Sequence, residues 1–202
     1  MTIFIILITV VVSYMGFQRS DVFYKLMFNS YQIWHRRQWY RMISHGLLHV
    51  DWPHLLINMF VLFSFGSFVE LRFDMYETAG MVRDGKLIYL LFYISAIAVS
   101  SVLSLYKNRD KYHYNSVGAS GAVSAIVFSS IITEPFQYVY FFGLLPIPGW
   151  LFGVSYLVYS WYMSKKGGDY INHDAHFVGA VYGILFTLLI QPQLIMVFFQ
   201  RM

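Results

Sequence analysis

Long apolar stretches alternate with short polar ones along the whole chain. Six apolar runs are bounded by charged residues, glycine or proline, at residues 2–17, 52–70, 87–106, 117–133, 149–164 and 175–191. An α-helix needs about 20 residues to cross about 30 Å of hydrocarbon. The third run has that length, and the shorter first and fourth runs are feasible inside a bundle. The pattern therefore predicts six transmembrane helices, the first of them a retained helix and not a cleaved leader.

The polar connections between the runs differ in length and character. The longest, residues 18–51, mixes tryptophan and tyrosine with arginine, which is typical of a segment at the membrane interface. Residues 134–148 contain three prolines and therefore cannot form one continuous helix. We expect an all-α membrane protein with a single domain, residues 1–202. It should have six transmembrane helices and a long interfacial loop after the first.

Composition supports a membrane protein and excludes several classes of function. Apolar residues make up 58 % of the 202 residues and charged residues only 12 %, against about 25 % charged in ordinary globular proteins. The chain has no cysteine, which excludes disulfides and cysteine-ligated metals. The net charge of +4 is scattered, and no basic run interleaved with aromatic residues supports nucleic-acid binding. The lipid bilayer is the expected surrounding, and the oligomeric state is left open.

Polar side chains inside the predicted helices are few, and each is costly in a membrane. His54 and Asn58 lie near the start of the second run, Ser120 near the start of the fourth, and His176 near the start of the sixth. These three helices cross the membrane in the same direction, and each carries its polar group near its N-terminal end. The four side chains are therefore expected at similar depth under one membrane face.

The chemistry of these four side chains fits peptide hydrolysis. A serine hydroxyl becomes nucleophilic when an imidazole can accept its proton, and the same imidazole can then protonate the leaving amine. His54 and Asn58 are spaced i, i+4, so both point from one helix face, where they can serve as donors to an oxyanion. Ser120 begins a helix, whose free backbone N–H groups also favour an anion.

Each of these residues has a plainer interpretation when taken alone. A serine among glycine and alanine in a membrane helix is more often a packing residue. A lone histidine near a helix end is more often interfacial. Their occurrence together at matched depth favours a hydrolytic site. Asp174 lies only two residues before His176 and should point elsewhere, so we expect a Ser–His dyad without a carboxylate.

The order and spacing of several motifs resemble the rhomboid family of intramembrane serine proteases over nearly the whole chain. The matching motifs, in chain order, are Tyr40-Arg41, His45-Gly46-Leu47-Leu48-His49, His54 with Asn58, Glu70-Leu71-Arg72, Gly118-Ala119-Ser120-Gly121, and Ala175-His176 with Gly179 and Gly183. The resemblance implies that Ser120 is the nucleophile of a serine endopeptidase and His176 its base. His54, Asn58 and the Ser120 backbone N–H would form the oxyanion hole. It implies a transmembrane protein as substrate, and no cofactor or metal.

Other matching positions are expected to be structural. Gly179 and Gly183 form a G-x-x-x-G pattern that lets the sixth helix approach the fourth closely. The remaining structural positions are Arg41, His45, His49, Glu70, Gly118 and Gly121.

Two positions depart from the family pattern. Tyr40 lies where a tryptophan is common before the arginine, although Trp39 is adjacent. Many rhomboids carry an aromatic residue four positions after the nucleophile, where it stacks on the catalytic histidine. This chain has Ser124 at that position.

The resemblance also implies a minimal bacterial form in the inner membrane, with cytoplasmic termini and an active site that opens outward. The charge distribution predicts the reverse orientation. Ten basic residues fall in residues 18–51, 107–116 and 165–174, which share one side, and four fall on the other. We follow the family. Residues 165–174, with the paired glycines Gly167 and Gly168, are further predicted to form a mobile cap over the site.

Two other functions fit parts of the sequence. A membrane metalloenzyme could use the pairs His45/His49 and His173/His176, although no glutamate follows His45 as a zincin would require. A proteolytically inactive relative that binds membrane helices is the other alternative. Such relatives lose the serine or the histidine, and this chain has both.

Overall fold

The computed structural model describes residues 1–141, 144–168 and 171–200. Its helices within these residues are α1 (Thr2–Gln18), α2 (Ser20–Leu26), α3 (Ser30–Arg36), α4 (Arg41–Ser44), α5 (Trp52–Thr78), α6 (Gly85–Ser100), α7 (Val102–Asn108), α8 (Ser120–Thr133), α9 (Gly149–Lys166), α10 (His173–Ile190) and α11 (Leu194–Gln200). A 3-10 turn (His45–Leu47) follows α4. The strands are β1 (Phe28–Asn29), β2 (Asn115–Ser116), β3 (Tyr138–Phe141) and β4 (Leu145–Pro148).

Each of the six apolar runs is helical over most of its length, the third as the consecutive helices α6 and α7. Three helical stretches in the described part of the chain are long and apolar enough to cross a membrane: Trp52–Thr78, Gly85–Asn108 and His173–Ile190. Two more, Thr2–Gln18 and Ser120–Thr133, are apolar but shorter. The remaining run forms α9, which carries Lys165 and Lys166 in its last turn. The chain is therefore a helical membrane protein, and the crossing of all six helices stays a prediction.

The helix α5 is longer than its apolar run. Asp51 caps its first turn by accepting a hydrogen bond from the backbone N–H of His54 at 2.8 Å. The apolar run ends at residue 70, where the first charges occur, but the helix continues to Thr78. Charged side chains mark the point where a helix leaves the hydrocarbon, but the helix itself can continue into the polar region. The sequence pattern therefore located the span and missed the polar extension.

The two central helices, α8 and α10, pack at the distance of backbone contact. A Cβ atom on Gly179 would collide with the carbonyl oxygen of Gly121, and one on Gly183 with the carbonyl oxygen of Ala125. Nearly every residue of α8 is buried, which marks it as the centre of the bundle. The predicted close approach of the fourth and sixth helices is therefore present in the structure.

The segment between α1 and α5 is folded into short helices and held by its own polar groups. The Arg41 guanidinium donates hydrogen bonds to the carbonyl oxygens of Tyr24 and Met27 at 2.9 and 2.7 Å, and to the Gln38 side chain at 2.6 Å. Its charge is therefore held inside the structure, whereas Arg36 and its neighbour at residue 37 are exposed.

Two small sheets correct the expectation that every element is helical. Strand β1 pairs with β2, and β3 pairs with β4 in antiparallel register from Tyr138 opposite Pro148. The prolines at 146 and 148 exclude a helix, as predicted, but they are tolerated in a short edge strand. The β1–β2 pair ties the interfacial segment to the loop that precedes α8.

The packing of α8 against α10 gives a testable prediction. We expect Gly183→Ala to lower the melting temperature in detergent, because the added methyl group meets the Ala125 backbone, and overpacking costs about 1–3 kcal/mol. Gly153→Ala on α9 is the matched control, since its Cβ would lie 3.4 Å from Phe128 in ordinary contact. Equal melting temperatures for the two variants would contradict this packing.

Candidate active site

Ser120 is the first residue of α8, and the backbone before it is held in an unusual conformation. Gly118 has φ of +123°, which favours glycine, and its N–H donates to the carbonyl oxygen of His45 at 3.1 Å. A Cβ on Gly118 would lie 2.8 Å from the His54 ring. Both the turn and the space beside it therefore require glycine. The turn also explains why α8 begins three residues after the start of the apolar run.

The imidazole of His176 meets the hydroxyl of Ser120 across the α8–α10 contact. His176 Nε2 lies 2.8 Å from Ser120 Oγ, within hydrogen-bonding distance. The start of α10 is fixed by Asn172, whose side chain accepts from the Ala175 N–H at 3.1 Å and from the Ser104 hydroxyl at 3.0 Å. Ser120 and His176, which lie 56 positions apart in the sequence, are thus in contact.

Asp174 points away from this pair, as its spacing predicted. Its carboxylate accepts hydrogen bonds from Lys107 Nζ at 2.8 and 3.0 Å and from the Ser164 hydroxyl at 2.5 Å. It therefore joins α7, α9 and the start of α10.

His54 and Asn58 lie one turn apart on α5, beside the pair. The Asn58 side-chain nitrogen donates to the carbonyl oxygen of His54 at 2.9 Å. An amide nitrogen carries two N–H groups, so a second donor remains on Asn58. Both side chains line the same cavity as Ser120 and His176. The four residues predicted to share one depth are therefore brought together.

His49 links α1, the interfacial segment and the loop before Ser120. The backbone N–H of Ala119 donates to His49 Nε2 at 3.5 Å, a long contact that leaves Nδ1 as the protonated nitrogen. Nδ1 then donates to Ser13 Oγ at 3.0 Å, and the Ser13 hydroxyl donates to the carbonyl oxygen of Leu47 at 2.9 Å. His49 is fully buried, and burial lowers its pKa. These contacts suit the structural role expected for His49.

His45 is buried at the rim of the cavity, with its ring edge-on to Phe28. Among the described residues, neither of its ring nitrogens has a partner with hydrogen-bond geometry. Burial lowers the pKa of His45 from 6.5 to about 4, and the nearby Met42 backbone opposes this only in part. The ring is therefore neutral in the folded protein.

Glu70 and Arg72 hold the far end of the bundle. Glu70 accepts from the backbone N–H of Thr2 at 2.7 Å and pairs with the amino group of Met1. Arg72 pairs with Glu134 at 2.5 Å, which joins the end of α5 to the end of α8.

A large cavity opens around the four polar residues. Its volume is about 1240 Å³, and it is lined by α5 on one side, by α9 and strand β3 on the other, and by α6, α8 and α10 between them. Small-molecule pockets usually have about 300–1,000 Å³. The cavity therefore has room for a stretch of polypeptide.

Sequence reasoning missed Tyr156, which lines this cavity from α9 beside His176. Ser124 could have indicated such a residue, because it replaces the aromatic side chain that the family pattern predicts beside His176.

The chain matches a known protein family over most of its length. The sequence profile of the Rhomboid domain matches residues 36–193. This chain belongs to the rhomboid family. The Rhomboid protease GlpG of Haemophilus influenzae is 24 % identical over 172 residues, covering 85 % of this chain and 79 % of that protein.

Two plant proteins are also similar to this rhomboid chain. RHOMBOID-like protein 12, mitochondrial, of Arabidopsis thaliana is 27 % identical over 145 residues, 69 % of this chain. Rhomboid-like protein 11, chloroplastic, of the same plant is 25 % identical over 190 residues, 87 % of this chain. This chain spans 43 % of the length of the first and 62 % of the second.

The histidine pairs considered for a metal do not form a larger cluster. Within residues 1–141, 144–168 and 171–200, no group of three or more histidine, aspartate or glutamate side chains has metal-binding geometry.

The buried His45 predicts a pH-dependent stability. Unfolded chains take up a proton near pH 6.5, whereas folded His45 stays neutral until about pH 4. Above pH 6.5 the imidazole is neutral in both the folded and the unfolded chain, so its burial carries no protonation penalty. As the pH falls from 6.5 towards 4, the unfolded chain binds a proton that folded His45 does not, and the free energy of unfolding decreases progressively. We expect the melting temperature in detergent to fall between pH 7 and pH 5, and to fall less in His45→Asn.

The exposed His113 provides the control for this prediction. His113→Asn should show the same fall in melting temperature as the wild type. A fall in His45→Asn that equals the wild-type value would contradict the assignment to His45.

Proposed function

We propose that this rhomboid chain is a serine endopeptidase that cleaves transmembrane segments of other proteins with a Ser120–His176 dyad. The observation that carries the proposal is the 2.8 Å contact between Ser120 Oγ and His176 Nε2 inside a large cavity. Membership of the family and similarity to a protein named as a rhomboid protease support it.

In the first half of the reaction, His176 Nε2 accepts the hydroxyl proton while Ser120 Oγ attacks the scissile carbonyl carbon. The new C–O bond makes a tetrahedral intermediate whose negative charge lies on the former carbonyl oxygen. The C–N bond then breaks, and the imidazolium gives its proton to the leaving nitrogen. An ester of Ser120 and a free amine result.

The negative charge of the intermediate needs donors that are already in place. Backbone N–H groups of the first turn of α8 have no partner within the helix, and the dipole of α8 is positive at this end. The second amide N–H of Asn58 and the ring of His54 face the same cavity. Each such donor contributes roughly 10²–10³ in kcat.

In the second half, water attacks the ester carbon while His176 accepts a proton, and the Ser120 hydroxyl leaves with that proton. Water must therefore reach the site from one membrane face. The polar side chains of strand β2 (Asn115–Ser116) and of Asn172 line the cavity at that end, where they can admit it.

We expect a substrate helix to enter between α5 and α9. The cavity is lined on the α5 side by Leu56, Ile57 and Phe60, which are 61 %, 64 % and 71 % exposed. Exposed apolar side chains of this kind suit contact with lipid and with a transmembrane helix. The substrate must unwind at the site, because carbonyl groups in a helix are hydrogen-bonded.

We place the whole chain, residues 1–202, as one protease domain in a bacterial inner membrane, with cytoplasmic termini and an outward-facing site. The burial of Arg41 removes one charge from the side with ten basic residues, which weakens the charge distribution's argument for the reverse orientation.

The proposed cap includes residues 169–170, which lie outside the described residues. Gly167 and Gly168 before them have φ of +61° and +106°.

The dyad is tested by cleavage of a model transmembrane substrate in liposomes. We expect Ser120→Ala and His176→Ala each to abolish cleavage, because one removes the nucleophile and the other its base. Ser130→Ala on the same helix is the control and should cleave at the wild-type rate. Persistent cleavage in either dyad variant would disprove the proposed mechanism.

A further inference from the structure

His176 has an aromatic neighbour that comes from α9 and not from α8. The Tyr156 ring centroid lies 6.4 Å from the imidazole centroid, and the two planes are inclined by 22°. Aromatic pairs in offset-stacked arrangements have centroids about 4.5–7 Å apart. Tyr156 thus flanks the face of the imidazole, the place for which the family pattern predicts a ring from position 124.

The hydroxyl group of Tyr156 is held by Ser124 of α8. The Ser124 and Tyr156 hydroxyl oxygens lie 2.8 Å apart, at a position where Ser124 is 6 % exposed. A small side chain at 124 leaves space for a ring from α9 and also supplies an oxygen to its hydroxyl. Since Ser124 lies one turn after Ser120, the contact reaches the same face of α8 that presents the nucleophile.

Two phenylalanines fix the tyrosine ring further. Phe128 of α8 lies 5.5 Å from it, inclined by 52°, and Phe152 of α9 lies 6.0 Å from it, inclined by 28°. The ring is therefore held by α8, by its own helix and by the imidazole. The contacts therefore link α8, α10 and α9 in turn. Ser120 of α8 contacts His176 of α10, His176 stacks on Tyr156 of α9, and the Tyr156 hydroxyl is hydrogen-bonded to Ser124 of α8.

We propose that Tyr156 is a positioning residue for His176, held by the Ser124 hydroxyl, so that docking of α9 against α8 orients the catalytic base. This inference rests on the proposed function. In this role the tyrosine acts through the imidazole and takes no part in bond making or breaking. Its ring limits rotation of the imidazole, and its hydroxyl limits movement of the ring.

The first test separates kcat from KM on a model transmembrane substrate. We expect Tyr156→Leu to lower kcat by about tenfold or more, with KM changed by less than about twofold, because a misplaced base slows chemistry without weakening substrate binding. Tyr162→Leu on the exposed face of α9 is the matched control and should keep both values. An unchanged kcat in Tyr156→Leu would overturn the proposal.

The hydroxyl contact is tested by a double-mutant cycle. Tyr156→Phe and Ser124→Ala each remove the same hydrogen bond, so each should lower kcat by about threefold. The double variant should lose no more than either single one. Fully additive losses would show that the two hydroxyls act independently and would overturn the anchoring role.

A rescue variant distinguishes positioning from general packing. Transferring the ring to α8, as Ser124→Tyr in the Tyr156→Ser background, should restore most of the kcat that Tyr156→Ser alone loses. If this exchange does not fold, as judged by melting temperature, the kcat of Tyr156→Leu against that of Tyr162→Leu still decides the question. A folded exchange variant with no recovery would contradict the proposal.

A readout without catalysis separates this inference from the proposed function. In protein with isotopically labelled histidine, the Hε1 resonance of His176 should shift in Tyr156→Leu and stay in place in Tyr162→Leu, because Tyr156 stacks on that ring whereas Tyr162 lies on the exposed face of α9. An absent shift overturns the inference even if cleavage depends on Ser120. Absent cleavage by wild-type protein with the shift present overturns only the proposed function.

Discussion

The contact between α8 and α10 is the constraint on which the rest of the site depends. Gly179 lies against the carbonyl oxygen of Gly121, and Gly183 against that of Ala125, so the two backbones touch. Without a hydrophobic driving force between helices in lipid, such close packing is a main source of helix association. It places the first turns of both helices side by side and so brings His176 Nε2 within 2.8 Å of Ser120 Oγ.

The other elements support this contact from outside. The positive φ of Gly118 ends the loop where α8 must begin, and the loop is anchored through His45 and His49 to the interfacial segment. Asp174 joins the start of α10 to α7 and α9. Several polar groups that are costly in a membrane thus fix loops or line the cavity. Tyr156, which is hydrogen-bonded to Ser124 and stacked on His176, is a further polar side chain of this kind.

The bundle and the four polar residues could be predicted from the sequence because each depends on a local rule. Apolar runs located six helices, and a common helix direction placed His54, Asn58, Ser120 and His176 at one depth. Single-sequence reasoning missed the helix extension to Thr78 and the two small sheets, since charge and proline end an apolar run without defining the structure of the next segment. Tyr156 was missed because its partner Ser124 lies 32 positions away on another helix, and no spacing rule connects them.

The most direct test of the Ser120–His176 dyad is covalent labelling with a fluorophosphonate, with the modified serine located by peptide mapping of the whole chain. An activated serine reacts with this probe, and ordinary packing serines do not. The dyad predicts one adduct, on Ser120, that is nearly lost in His176→Asn. Labelling of a different serine, no labelling of folded protein, or undiminished labelling in His176→Asn would contradict it.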